Sequence, residues 1–480
     1  MSTLSEPTGE QLAELASCVG EGGTLDPGSE AGQAYLVEPR GLLRGRAAAI
    51  LRPAATDAVA AVLGLCNRHR IGVVPYGGGT GLVGGQVMPE GPRPVVLSLE
   101  RMDRVRAILP EDGVIVAEAG VVLADLQAAA ERAGRLFPLS LAAEGSCRIG
   151  GNLATNAGGV QVLRYGNARE LCLGIEAVLA DGSVVSGVSG LRPLRKDNTG
   201  YDLKSLLIGS EGTLGVITAA ALKLFPLPGE TVTAMLSVAD PQAALALFQR
   251  LRERLDDALS GFELISGQGI AWLAEFHPDK PDPLAGAPAW RVLLEATGPA
   301  GSGLGERVEA ALGAMLEAGL ASDGAVAASE AQRAHMWWQR ETLPEANRRV
   351  GAVSAHDISL PLSAIARFIE QAGAAVAAID PGLRVNCFGH LGDGNLHYNV
   401  FPPEGRRAAE CRALAGPARR AVHDLVDALG GSISAEHGIG RMKRQDLARY
   451  GDPAKLAAMR AIKAALDPRG ILNPGAVLQG

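Results

Sequence analysis

The chain has 480 residues, 47% of them hydrophobic, which is enough for two or three domains with cores of their own. A net charge of −7, with no basic tract carrying interleaved aromatics, argues against nucleic acid as the main partner. The polar start MSTLSEPTGEQLAEL lacks the pattern of a secretory signal, no later apolar run reads as a transmembrane segment, and the six scattered cysteines form no C-x-x-C pair, so a cytoplasmic setting is expected.

Residues 1–43 read as a helical lead-in. From Thr56 to Arg70, TDAVAAVLGLCNRHR has helical periodicity behind an N-cap threonine, and IGVVPYG then reads as a buried strand. That strand runs into a glycine cluster from Gly77 to Gly85, GGGTGLVGG, where the backbone can take positive φ and bring main-chain N–H groups against a pyrophosphate. Gly79, Gly81 and Gly84 satisfy G-x-G-x-x-G, and Glu100 lies downstream, yet Pro89, Pro92 and Pro94 stand where a dinucleotide fingerprint needs its helix. A glycine nest without a helix is the expectation. PVVLSLE, GVIVAEAG and the helix VLADLQAAAERAG continue the alternation to Gly134.

Between Gly145 and Val185, paired glycines at Gly150–Gly151 and Gly158–Gly159 bracket Asn152, Thr155 and Asn156, amides and hydroxyls suited to a flat polar ring or a ribityl chain. IEAVLADGSVV follows as a hairpin with a D-G turn. DNTGYDLKSLLIGSEGTLGVIT then supplies a short helix and a third glycine-rich turn at Gly209, Gly212 and Gly215. Three such loops suggest one extended ligand gripped along its length.

PYGGGTGLVGG, GGNLATNAGG and GSEGTLGVIT, in this order, resemble the FAD-binding domain of the vanillyl-alcohol oxidase and p-cresol methylhydroxylase (PCMH) superfamily over residues 44–227. The resemblance implies that Pro75, Gly77, Gly78, Gly79, Thr80, Gly81, Leu82, Gly84 and Gly85 hold the pyrophosphate. It places Gly145, Ser146, Gly150, Gly151, Asn152, Thr155, Asn156 and Gly158 along the flavin, with Gly212 and Ile217 from the third loop. The glycine loop has no histidine, and Cys147 sits too near Gly150–Gly151 for a second tether, so non-covalent FAD is expected.

Past Pro226–Pro228 the order is strand (TVTAMLSVA), helix, strand (FELIS), helix, strand (RVLLEATG), helix, which suggests a second α+β domain with its sheet covered on one face. Near the C-terminus, VNCFGHLGDGNLHYNVF puts His390 and His397 on either side of a G-D-G turn, and GGSISAEHGIGRMKR carries Glu436 and His437. A hairpin would bring both imidazoles to one point, and two imidazoles with a carboxylate make a three-ligand site for a divalent metal. A lone histidine near a turn is more often a satisfied core residue; the pairing of these with acids favours a site. Cys387 has C-x-x-H spacing but reads as a buried small hydrophobe.

GHLGDGNLHYN, SAEHGIG and LDPRGILNPG resemble the FAD-linked D-2-hydroxyacid dehydrogenases, the branch with D-lactate and D-2-hydroxyglutarate dehydrogenases and the flavin subunit of glycolate oxidase. That resemblance makes His390, His397 and Glu436 metal ligands (zinc first, manganese second) and His437 the base, also touching substrate. Asn399 would contact the substrate head and Asn473 would close over the flavin. Arg340, in the W-x-R-E context of MWWQRETLPEA, would anchor a carboxylate, walled by Trp337 and Trp338. The fold implied is α+β: a two-part PCMH-type FAD-binding domain over 44–227, an α+β substrate or cap domain over 228–440, and a C-terminal segment, 441–480, that returns to the flavin.

The activity implied is oxidation of a small D-2-hydroxy acid, with electrons passed to an electron-transfer flavoprotein, a quinone or a cytochrome; a homodimer is the candidate assembly. The hydroxyglutarate enzymes add a threonine one turn after the arginine and a lysine before the DxSxP strand, where this chain has Pro344 and Ala355. A second buried carboxylate would lose those partners, so a D-lactate-like acid is expected first, with malate or hydroxyglutarate open through Thr342 and His356. The alternatives are a non-redox flavin transferase resembling alkyl-dihydroxyacetone-phosphate synthase and a flavin subunit of a glycolate-oxidase-like complex.

Overall fold

In the computed structural model, which describes residues 4–186, 191 and 194–479, the strand before the glycine cluster is Val73–Tyr76. It pairs in parallel with Val95–Ser98, which pairs in parallel with Ala49–Leu51; Thr24–Leu25 closes this sheet antiparallel. The helix Thr56–His69 links Ala49–Leu51 to Val73–Tyr76, which run parallel on either side of Val95–Ser98, and it buries Val62, Leu63 and Cys66 against Val73, Val95 and Leu97. Ala55, not Thr56, occupies its N-cap. Thr56 instead donates its hydroxyl to Glu176 Oε1 at 2.6 Å. Residues 77–94 form turns and extended chain, as the prolines require, so the dinucleotide reading of G-x-G-x-x-G is set aside.

A second, antiparallel sheet has the order Val105–Leu109, Val114–Glu118, Val216–Lys223, Cys172–Val178, Val184–Val185, with the Asp181–Gly182 turn joining its last two strands. The strand Val105–Leu109 is hidden in the sequence by its arginine: Arg106 turns out to pair with Glu118 and Glu176. The second glycine segment is not a loop. Ile149–Thr155 is a short helix that Asn156 closes in the left-handed region, φ 53°.

The chain divides into two compact units, one of Met1–Gly158, Asn167–Leu227 and His437–Gly480, the other of Gly159–Gly166 and Pro228–Glu436. The second unit is built on seven antiparallel strands in the order Asp323–Val326, Glu230–Val238, Trp290–Gly298, Leu259–Ser266, Arg384–His390, Asn395–Phe401, Ser354–Ser359. Helices lie on both faces, not on one. Phe248 of the helix Pro241–Leu255 packs on Phe262, whereas Trp272, Met336 and Leu343 of two other helices pack on Met235, Ile265 and Phe388, which point the other way. Burial on both sides explains why Leu259–Ser266 is buried at every position.

One stretch, Leu362–Ile379, is apolar enough by length and composition to cross a membrane, with a mean hydropathy of 1.3, contrary to the expectation of none. Its buried stripe, Ile365, Phe368, Ala372 and Val376, belongs to a helix packed on Arg412–Ala428 within the second unit.

Candidate active site

In the first unit the glycine cluster, the helix Ile149–Thr155 and the turn before Val216 surround a cleft that opens to solvent. Pro75, Gly77, Gly78, Gly79, Thr80, Gly81 and Gly85 line it, with Gly150, Gly151, Asn152, Thr155, Gly212, Ile217 and Asn473. Leu82, Gly84, Gly145, Ser146, Asn156 and Gly158 are not among the lining residues, for local reasons. A Cβ on Gly78 would stand 2.2 Å from the Ser146 carbonyl oxygen, so Ser146 serves as the surface against which the loop is laid. Gly84 turns the chain at φ 71° where a Cβ would meet Leu43.

The cleft has a polar atom in want of a ligand: the buried Asn152 Oδ1 meets no hydrogen-bond partner among the described residues. It also has a scaffold that sequence reasoning missed. The guanidinium of Arg441 donates to the carbonyls of Gly84 and Gly85 and to Asn473 Oδ1, at 2.8 to 3.0 Å. Burial pulls that guanidinium down to about 10. Glu211, half-buried and pushed up by desolvation, accepts the N–H groups of Ile439 and Gly440, while Asn473 donates to its carbonyl at 2.8 Å. His437 lines the same cleft.

In the second unit, strand register gathers a polar cluster on one face of the sheet. Glu263 pairs with His390, Phe388 with His397, Asp357 with His397, and both Asn386 and Ala355 with Asn399. Residues that pair directly point the same way, and every second residue joins them. The His390 and His397 rings lie 5.7 Å apart, and donor atoms of His390, His397 and Glu436 lie within 4.8 Å of one another. His390 turns Nδ1 to Glu263 Oε1 at 2.6 Å and Nε2 to Glu436 Oε1 at 3.6 Å. Asp357 stands 3.8 Å from His397 Nδ1, and accepts from Asn395 and from the Glu436 backbone N–H.

Parity along the strands excludes two candidates. Cys387 pairs with Tyr398 and His356 does too, on the face opposite His390 and His397. Burial pushes the Cys387 thiol far up, and His356 bonds Ser354 instead. Thr342, two positions past Arg340, lies on another side of its helix. Arg340 itself is buried and donates Nε–H to Glu263 Oε2 at 2.6 Å. The ring beneath its guanidinium is Phe388, at 4.8 Å, rather than a tryptophan; Trp337 donates to Glu295 and Trp338 stacks on His335.

Burial works against the charges of Glu263, His390 and Glu436, and their neighbours answer it. It would raise Glu263, but His390 and Arg340 hold that carboxyl at about 2. It would lower His390, but Glu263 and Glu436 push it to about 9. Desolvation carries Glu436 up to about 7 against the pull of His390. Three carboxylates, Glu263, Asp357 and Glu436, thus face one permanent cation, Arg340, an imbalance that suits a divalent ion. Ligands of a tetrahedral ion with bonds near 2.1 Å stand about 3.4 Å apart, close to the 3.6 Å between His390 and Glu436.

Residues 47–187 match the model of FAD binding domains, and residues 227–477 match that of the C-terminal domain of FAD linked oxidases. The chain is 41% identical over 438 residues to mitochondrial D-2-hydroxyglutarate dehydrogenase of Bos taurus, covering 90% of this chain and 77% of that protein. It is 35% identical over 441 residues to D-2-hydroxyglutarate dehydrogenase of Xanthomonas citri pv. viticola, covering 90% and 89%. The solved structure of p-cresol methylhydroxylase with substrate bound superposes with a TM-score of 0.77 at 17% identity, covering 99% of this chain and 98% of that one. Fold and cleft therefore define a PCMH-type flavoprotein that binds FAD. The chain belongs to the FAD-linked D-2-hydroxyacid dehydrogenases, oxidoreductases that act on the CH–OH group of a D-2-hydroxy acid.

Proposed function

We propose that this enzyme oxidises a small D-2-hydroxy acid of the D-lactate type, with dissociable FAD and a divalent cation, zinc before manganese, held by His390, His397 and Glu436. The observation that carries the reading is the convergence of those three donors within 4.8 Å, on a face with an excess of carboxylate. When bound, FAD supplies an acceptor for the α-hydrogen with its electron pair, and the cation lowers the pKa of the substrate hydroxyl. Arg340 and Asn399 hold the carboxylate, the guanidinium by charge-assisted hydrogen bonds and the amide by its N–H. His437 takes the hydroxyl proton, as an imidazole does near neutral pH, and the 2-oxo acid remains. Asn152 and the N–H groups of the glycine cluster grip the FAD, whose electrons go on to an electron-transfer flavoprotein, a quinone or a cytochrome.

The preference for a short acid rests on Ala355. It shares a face with Asn399 and offers no charge for a second carboxylate, and neither His356 nor Thr342 faces the cluster in its place. Hydroxyglutarate is the second reading, favoured by the names of relatives 35 to 41% identical. The test is anaerobic: flavin absorbance is followed while D-lactate, D-malate, D-2-hydroxyglutarate, glycolate and the L-enantiomers are added in turn. Bleaching by D-lactate, lost on chelation and restored by zinc or manganese, is the expected result. Bleaching by hydroxyglutarate alone would reverse the order of the two readings, and bleaching by none while dithionite still reduces the flavin would sink both.

A further inference from the structure

Glu263 lies in the strand Leu259–Ser266, wholly buried, with its two carboxylate oxygens divided between two partners. Oε1 is 2.6 Å from Nδ1 of His390, the residue directly across the ladder, and Oε2 is 2.6 Å from Nε of Arg340. We infer that Glu263 is a positioning residue that fixes the ring tautomer of His390 and the fork of Arg340 together, so that metal affinity and substrate-carboxylate binding depend on one side chain. The inference rests on the reading of His390 as a ligand and Arg340 as the anchor.

The chemistry of each partner leads there. A metal-binding imidazole carries one proton, the other being displaced by the ion; with Nδ1–H donated to a carboxylate, the lone pair is on Nε2, the nitrogen that faces Glu436. A guanidinium anchored through its Nε–H, with its Cζ 4.8 Å from the centre of the Phe388 ring, has its Nη N–H groups on the other edge of the fork, the edge that would meet a ligand carboxylate. Only a carboxylate accepts from both sides at once. A glutamine of the same shape has one acceptor and one donor end. Turned one way, it makes His390 accept at Nδ1 and carry its proton on Nε2, where a metal cannot then bind. Turned the other way, it sets its NH₂ against the Nε–H of Arg340.

The experiment compares wild-type protein with Glu263→Gln and Glu263→Asp, all with FAD bound. Zinc affinity is read by competition with a chromophoric chelator, KM for the acid that bleaches the wild type is read separately, and flavin content reports folding. Glu263→Gln is expected to weaken zinc binding about 10- to 100-fold and to raise KM, with flavin content unchanged and activity regained at high zinc. Glu263→Asp keeps the buried anion but is too short to span both partners, so it is expected to lose one of the two readouts; it decides the matter if the glutamine variant does not fold. Wild-type zinc affinity and KM in a folded variant would overturn the positioning role alone. A wild-type protein that takes up no zinc would overturn the metal reading, and this role with it.

Discussion

Glu211 Oε1 accepts the backbone N–H of Ile439 at 2.7 Å, two residues past His437, and its other oxygen accepts that of Gly440. One half-buried carboxylate thereby fixes the loop that brings His437 to the FAD cleft. Replacing it by glutamine leaves one acceptor for two N–H groups, an unmet bond in a half-buried place that costs about 1 kcal/mol, the low end of the range for a buried one. Glu211→Gln should therefore release FAD faster and melt several degrees lower. Flavin fluorescence after dilution measures the first and a thermal scan the second; a wild-type release rate would show that the loop does not need this clamp.

His390→Ala and His397→Ala should each abolish turnover, by about a thousandfold or more given the several kcal/mol that a Lewis acid supplies, and should remove bound divalent metal. Flavin content should stay at the wild-type level, because the cleft is lined from the other unit. Elemental analysis and the flavin spectrum check the two halves independently. Loss of flavin together with activity would make these histidines part of the fold.

Stability should fall in acid through the second sheet. Burial would raise the carboxyls of Glu118 and Glu176, but Arg104 and Arg106 around Glu118, and Arg106 with Thr56 and Thr218 around Glu176, hold them below the ordinary 4.5. A folded-state value below the unfolded one contributes stability that is complete above pH 4.5 and is lost as the pH falls through the lower folded values. Arg106→Gln should lower the melting temperature by a few degrees near pH 7, and the difference from wild type should shrink as the pH falls below 4.5 and through the lower folded-state values of Glu118 and Glu176. Parallel melting curves across that range would show that the ion pairs carry no net stability.

Much of this was legible in the sequence because it rests on local rules. Glycines with prolines behind them gave a nest without a helix, and the G-D-G turn between His390 and His397 gave the hairpin that joins their rings. What escaped depends on contacts far apart in the chain. Glu263, Asp357, Glu211 and Arg441 each act on residues dozens to hundreds of positions away, and no spacing announces them. A faint signal was present: the charged residue in FELIS stands in an otherwise apolar strand, and a carboxylate buried there must have partners. The helix Ile149–Thr155 was missed because its paired glycines are poor helix formers; a Cβ at Gly150 would stand 2.6 Å from that of Ala119, so the close approach there requires that glycine.

Ala355 offers a gain-of-function test of substrate choice. It is exposed on the strand Ser354–Ser359, beside Asn399 and on the face of the histidine cluster, so a longer side chain meets little steric resistance there. Ala355→Lys would add an ammonium on that face, and a charge-assisted hydrogen bond to a second carboxylate is worth about 1.5–3 kcal/mol. The ratio of kcat/KM for D-2-hydroxyglutarate to that for D-lactate should rise about 10- to 100-fold. Pro344→Thr, one helical turn after Arg340, should add a smaller increment in the same direction, since a hydroxyl is a neutral donor. A ratio that does not move in the double variant would mean that the tail of the substrate lies elsewhere, and that the absence of a cation at position 355 has no bearing on the choice between the short acid and the diacid.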